Sequence, residues 1–220
     1  MLIPPNPITD RTLVDKVYEY LLESILFGRI APGTVLNEVE LSRIFNTSRI
    51  VIREALVKLV TSGMVVKNPH QQARVREFTE KDIEDLFDVR LYLELLAIDK
   101  IDRLSQDKYN FLKKLIVGLE VEISEYISKD RTLHEELVKL ANNNVLINFY
   151  LQIRDQVQMA RAFMTTRRPE RILEANREHH ILLDALLEGD KDTAVRITRQ
   201  HVESAKAETI MWMRRSKEFH

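Results

Sequence analysis

The sequence predicts a mainly α-helical chain of two domains: an N-terminal winged helix-turn-helix over 1–77 and a C-terminal bundle of about six helices over 78–220. Three observations carry this. Residues 12–76 read as helix, helix, turn, helix and β-ribbon in that order. Beyond 78, apolar residues recur at intervals of three and four, the helical period. Nowhere is there a parallel-sheet signal, a glycine-rich phosphate loop or a repeat of solenoid length. A chain of 220 residues has room for one or two domains and for a core that needs no staples.

The elements follow in order. Residues 12–27 carry the stripe Val14, Val17, Tyr18, Leu21, Leu22, Ile25 and Leu26, and Gly28 stands where a helix C′ residue takes positive φ. Pro32-Gly33 marks a turn. Asn37, with Glu40 three residues later, reads as the cap of a short helix 38–45 with Val39, Leu41 and Ile44 inward. A third helix, 48–61, places Ile52, Ala55, Leu56 and Leu59 on one side, and Ser62-Gly63 ends it. Met64-Val65-Val66 and Ala73–Arg76 flank Asn68–Gln72 as a two-stranded hairpin. Thr79 and Asp82 form a capping box that opens a helix to about 104. Ser105 caps a helix 106–128, followed by 129–141, 145–165, 170–188 and a last helix from 191 to about 214. Pro169 suits a helix first turn, and Gly189-Asp190 reads as a stop followed by a cap.

Composition removes several chemistries. There is no cysteine, which excludes disulfides, zinc ribbons, iron–sulfur clusters and thiol nucleophiles. Any metal must be held by His, Asp, Glu or water. The longest uncharged run, Leu140–Ile153, has 14 residues and is too short and polar for a bilayer. The start MLIPPNPITD lacks the regions of a signal peptide, so a cytoplasmic location is expected. A net charge of −1, from 33 Lys+Arg and 34 Asp+Glu, argues at first against nucleic acid. Yet residues 45–76 hold Arg49, Arg53, Lys58, Lys67, Arg74 and Arg76 against Glu54 alone, a net of +5.

Arg49 and Arg53 stand at i and i+4 on one face of helix 48–61, opposite its apolar side. Such a helix can offer two guanidiniums to a major groove, where Arg binds guanine bidentately or clamps phosphate. Ser48 and the free amides at the helix start suit a phosphate oxygen. His70, Gln71 and Gln72 at the hairpin tip would reach the neighbouring backbone or minor groove. On these residues alone, surface ion pairs of the arginines with Glu38 or Glu54 are the better account.

The stretch Leu36–Leu59 resembles the DNA-binding domain of GntR-family bacterial transcription regulators. Pro32-Gly33, Leu36, Glu38, Leu41, Ser48-Arg49, Arg53-Glu54-Ala55-Leu56, Leu59 and Gly63 all fit that family's pattern. Ile50-Val51 stands where the family usually has Thr-Pro, and Gln72 replaces the wing glycine. The resemblance implies double-stranded operator DNA as a partner, with Arg49 and Arg53 contacting it. The DNA-facing set is then Ser48, Arg49, Ile50, Arg53, His70, Gln71 and Gln72.

The helical region holds a second constellation. Asp130 and His134 are i, i+4 on one helix face. His179 lies ten residues before Gly189 and His201 eleven after Asp190, so an antiparallel helix pair brings them level. Three imidazoles and a carboxylate could then converge inside a bundle, as helical metal sites do. Each residue alone fits an ordinary core or surface role, and Asp130 could be a helix N-terminal charge. His180 points away from His179, and His70 and His220 read as surface residues.

Residues 80–215 resemble the all-helical FCD effector domain of the FadR branch, in its shorter VanR-like subgroup. The carriers are Arg90 with Glu94, Asp130 with His134, Asn144, Glu178-His179, Asp184-Ala185-Leu186, Gly189-Asp190 and His201-Val202. The resemblance implies a divalent transition metal on Asp130, His134, His179 and His201, with zinc or nickel ahead of manganese, iron or cobalt. It also implies a small organic-acid effector, with Arg90, Arg154 and Arg161 as candidate contacts. The reading is a ligand-responsive, non-enzymatic DNA-binding regulator, a repressor acting as a homodimer without membrane attachment. Two rivals stay open: a metal-dependent hydrolase using the His₃Asp site, and a regulator whose metal is only a structural staple.

Overall fold

The computed structural model describes residues 12–69, 71–118, 120–165 and 170–218. Among them two compact units form, one holding the chain up to 25 with 29–76 and the other 26–28 with 77 onward.

The first unit contains α1 (Leu13–Leu26) apart from its last residue, β1 (Val35–Leu36), α2 (Glu38–Ile44), α3 (Arg49–Thr61), β2 (Val65–Val66) and β3 (Ala73–Val75). The caps are local side-chain bonds that satisfy helix-start amides. Asn37 Oδ1 accepts from the amides of Val39 and Glu40 at 2.9 and 3.2 Å, and Ser48 Oγ accepts from Val51 at 3.3 Å. Gly28, Gly33 and Gly63 sit at φ of +71°, +78° and +74°, so the expected turn positions need glycine's freedom. Ile52, Ala55, Leu56 and Leu59 are fully buried on one side of α3, as their spacing requires. Burial of a Leu or Ile of this kind stabilises by roughly 1.5–3 kcal/mol each.

Two expectations need correction here. Val39 and Ile44 do not point inward: they are 38% and 66% exposed, and α2 buries no residue. This short helix packs on α3 with Leu41 half-buried, and its C-cap Phe45 stands edge-on to Tyr20 of α1 at 5.3 Å. The ribbon also gains a strand, giving an antiparallel sheet in the order β1-β3-β2. The Pro32-Gly33 turn brings Thr34 and Val35 back beside β3. There Gly33 N–H donates to Val75 O, and Val75 N–H donates to Thr34 O, each at 2.9 Å. The free edge of β3 is thereby paired.

The second unit holds α4 (Glu80–Lys100), α5 (Gln106–Lys113), α6 (Ile123–Leu140), α7 (Asn144–Thr165), α8 (Glu170–Glu188) and α9 (Lys191–Glu218). Thr79 and Asp82 make the expected reciprocal capping box. α4 packs against α6, α7 and α9, and α8 pairs with α9. Gly189 at φ +81° makes the turn between α8 and α9, and Asp190 caps α9 through the Thr193 amide at 3.0 Å. The apolar core includes Ile98, Leu112, Leu133, Leu137, Leu183 and Leu186. Ile83, Phe87, Val157 and Val202 form a further cluster between α4, α7 and α9.

The expected helix pair 106–128 and 129–141 is replaced by α5 and α6, with the described residues 114–118 and 120–122 outside both helices. After Lys113 the backbone tightens into three-residue turns as far as Ile116. The Glu120 carboxylate then takes the Gly118 amide at 2.8 Å, a local bond that competes with helix continuation. Nothing comparable interrupts 128–129, so α6 runs through it. Asp130 therefore lies inside a helix, and the account of it as a helix-terminal charge falls. The segment Arg167-Arg168-Pro169 lies outside the described residues.

Candidate functional site

In the first unit, α3 carries Arg49 and Arg53 on its open face, 59% and 57% exposed, with Ile50 exposed beside them. Ser48 is the α3 N-cap. Gln71 and Gln72 are exposed in the turn after Asn68, whose Nδ2 donates to Gln71 Oε1 at 3.2 Å. His70 lies outside the described residues. The arginines do have the ion-pair partner weighed for them: both reach Glu38, Arg53 Nη2 at 2.9 Å and Arg49 Nη2 at 3.9 Å. Pairs of this kind contribute little net stability, and a guanidinium that gives one edge to Glu38 keeps further N–H donors for a second partner.

In the second unit, α6, α8 and α9 bring three imidazoles together. His134, His179 and His201 are 3%, 2% and 3% exposed, and their ligand atoms lie within 4.8 Å of one another. His134 Nε2 and His179 Nε2 are 3.3 Å apart. Asp130 Oδ1 lies 3.9 Å from the first and 3.8 Å from the second. All four residues singled out in the sequence thus converge. His180, only partly buried, stays outside the cluster, and His220 lies outside the described residues.

Carboxylates behind the cluster orient the rings. Glu94 Oε2 is 3.1 Å from His134 Nδ1, and Glu178 Oε2 is 2.7 Å from His201 Nδ1. A proton on each Nδ1 donated outward leaves an Nε2 lone pair facing the centre, the tautomer a metal needs. The carboxylates are themselves held: Arg90 Nε on Glu94 Oε1 at 2.6 Å, and Arg171 Nη2 on Glu178 Oε2 at 2.9 Å. Neither glutamate entered the sequence-derived ligand set. The available signals were the Arg90–Glu94 spacing and the position of Glu178 next to His179.

The electrostatics prepare donors. Burial pushes His179 down to about 3, helped by His134, and burial likewise drives His201 far below the ordinary imidazole value, helped by His179. Both therefore stay neutral, each with an unprotonated ring nitrogen. Burial alone would raise Asp130, but the Arg161 guanidinium, with Nη1 at 3.0 Å from Oδ2, holds it well below the usual carboxylate range.

A divalent ion fits this set. Asp130 Oδ1 and His201 Nε2 are buried with no hydrogen-bond partner, a costly state for polar atoms away from water. The 3.3 Å between the His134 and His179 nitrogens equals the edge of a tetrahedral shell with bonds of about 2.0–2.1 Å. One contact competes: Arg90 Nη2 lies 3.1 Å from His134 Nε2, on the atom a metal would use. Beside the cluster is a cavity of about 10 Å³, lined by Arg90, Asp130, His134, Tyr150, Arg154 and Arg161 among others. That is room for about one water. The three arginines expected at an effector site all border it, although Arg154 is already paired with Asp155 and Glu135.

Two family profiles match the chain. The profile described as "Bacterial regulatory proteins, gntR family" covers residues 13–75, and the FCD domain covers 85–204. The chain belongs to the GntR family of transcriptional regulators, with an FCD domain. This GntR-family regulator is 29% identical over 196 residues to the HTH-type transcriptional regulator YdhC of Bacillus subtilis, covering 85% of this chain and 84% of that protein. It is 26% identical over 203 residues to the gluconate operon transcriptional repressor of Bacillus licheniformis, covering 86% and 82%. Among solved structures, Escherichia coli McbR/YncC superposes with a TM-score of 0.79 at 20% identity, over 93% of this chain and all of that one. The fold and the family agree with a mainly α regulator rather than an enzyme, and the GntR domain assigns DNA binding to the first unit. Among the described residues, no helix is long and apolar enough to cross a membrane.

Proposed function

We propose that this regulator is a repressor acting as a homodimer in the cytoplasm. Its helical domain holds a divalent transition metal on Asp130, His134, His179 and His201, and its effector is a small organic acid. The observation that carries the metal is the pair of partnerless buried atoms, Asp130 Oδ1 and His201 Nε2, at a cluster of three imidazoles of which burial keeps His179 and His201 neutral. A bound metal supplies a Lewis-acidic point for a carboxylate oxygen. Asp130 and the three imidazoles hold the ion, and Glu94 and Glu178 keep two of the rings in the binding tautomer. Arg90, Arg154 and Arg161 offer the other carboxylate oxygen its hydrogen bonds. Zinc and nickel suit an imidazole-rich, thiolate-free set better than calcium or magnesium.

A two-fold dimer would lay two α3 helices on successive major-groove half-sites of a near-palindromic operator. Arg49 and Arg53 read the groove, Ser48 and Ile50 flank them, and the 70–72 tip touches the adjacent backbone. Effector binding changes operator affinity only by its differential affinity for the two arrangements of the dimer. Repression is supported by relatives such as the gluconate operon repressor.

The cavity's size favours one alternative, a metal that is only a staple: a carboxylate enters only if Arg90 leaves His134. Metal analysis and titration separate the readings. We expect one metal per chain, lost in His134→Ala and His179→Ala, and an operator affinity that responds to small carboxylates only in metal-loaded protein. A carboxylate response absent under all metals supports the staple. Metal-free purified protein whose melting is indifferent to chelator and to added zinc or nickel refutes the metal site.

A further inference from the structure

One carboxylate gathers three of the cations that surround the DNA-reading helix. Glu38, the first residue of α2, accepts from Arg53 through Nε at 3.3 Å and Nη2 at 2.9 Å. It accepts from Lys67, just after β2, at 3.1 Å, and Arg49 Nη2 approaches to 3.9 Å. The carboxylate is 17% exposed beneath arginines that are 57% and 59% exposed. Glu38 therefore lies under the array while the guanidiniums face outward.

The donor arithmetic matters. A guanidinium has five N–H donors. Arg53 gives Glu38 the fork formed by Nε and Nη2, which leaves the end-on fork at Nη1 and Nη2 able to meet guanine O6 and N7 or a phosphate. Holding a long side chain in one rotamer before binding removes an ordering cost that would otherwise fall on the complex. The same negative charge stands close to where DNA phosphates would come and opposes any mode that gains only from charge.

We propose that Glu38 is a positioning residue for operator recognition, fixing Arg53, Lys67 and Arg49 as one array and holding down non-specific DNA binding. The inference rests on α3 being the DNA-facing helix.

The test uses the full-length protein, a duplex selected by the wild-type protein from a random library, and a scrambled duplex of equal length, each by fluorescence anisotropy at several salt concentrations. Glu38→Gln keeps shape and removes charge. The expected result is a ratio of scrambled to selected Kd reduced about tenfold, tighter binding to the scrambled duplex, and a log–log salt slope steeper by about one. Glu38→Asp keeps the charge with a shorter reach and should retain the wild-type slope with an intermediate ratio. A purely structural role would weaken both duplexes equally, and that outcome in folded protein overturns the proposal, as does an unchanged ratio. Arg53→Ala separates the two levels: if it leaves the selected duplex bound as tightly as wild type, the reading of α3 is what fails.

Discussion

Replacing Glu178 by Gln tests whether the carboxylates behind the imidazoles tune the metal. The change keeps size and removes the charge that His201 Nδ1 meets at 2.7 Å. It also takes from the buried Arg171 its 2.9 Å partner, leaving Glu208 at 3.6 Å and Glu174 at 3.7 Å. Loss of such an outer partner typically weakens metal binding about 10–100-fold, or roughly 1.4–2.7 kcal/mol. With free metal held at about 100 times the wild-type Kd, wild type gains about 2.7 kcal/mol over its chelated form, and the variant about 0.4–1.4 kcal/mol. At roughly 3 °C per kcal/mol for a domain of this size, these become melting shifts of about 8 °C and about 1–4 °C. The assay is differential scanning fluorimetry of each protein with metal and with EDTA, read as the difference within each protein. Any baseline loss from the weakened Arg171 pairing then cancels. Equal shifts in the two proteins refute the outer-carboxylate argument, and no shift in wild type refutes the metal centre itself.

Metal-free protein should lose stability on acidification. His179 titrates near 3 when folded and near 6.5 when unfolded, so the unfolded chain binds more protons between those values and stability falls as pH drops through that window. At pH 5 His179 alone accounts for about 2 kcal/mol, and a urea midpoint unchanged between pH 7 and pH 5 would contradict it. Arg161→Met strips Asp130 of its 3.0 Å guanidinium contact and should cost on the order of 3–5 kcal/mol in EDTA. Metal should recover part of that loss, and an equal loss with and without metal would disprove a shared role for Asp130. Leu59→Ala empties a fully buried position in α3. We expect it to destabilise the first unit by about 2–5 kcal/mol while metal stoichiometry stays that of wild type, as measured by denaturation and metal analysis.

Much of this was legible in the sequence, where the signals are local. The caps at Asn37 and Thr79 and the stops at Gly63 and Gly189 need only a few consecutive residues, and α8 begins and ends where the sequence places it. The meeting of His179 and His201 was readable because an antiparallel pair with a tight turn converts sequence distance into height along the helices. What stayed hidden depends on partners far along the chain. β1 exists because β3, about forty residues on, offers it an edge. The break after α5 is held in part by Asn176 of α8, whose side-chain amide donates to Val117 O at 2.7 Å. Glu94 and Glu178 look like ordinary surface charges until the bundle closes on them, since a helical wheel gives no sign of what stands opposite.

The burial of the three imidazoles bears on time as well as affinity. They come from α6, α8 and α9, and 67 positions separate His134 from His201. No partly assembled chain presents all three nitrogens to one point, so metal uptake would have to follow docking of those helices. With side chains this enclosed, an ion could leave only when the bundle opens locally. Its exchange rate would then report breathing of the helical domain, and a radioisotope or chelator chase would time that motion without a label on the protein.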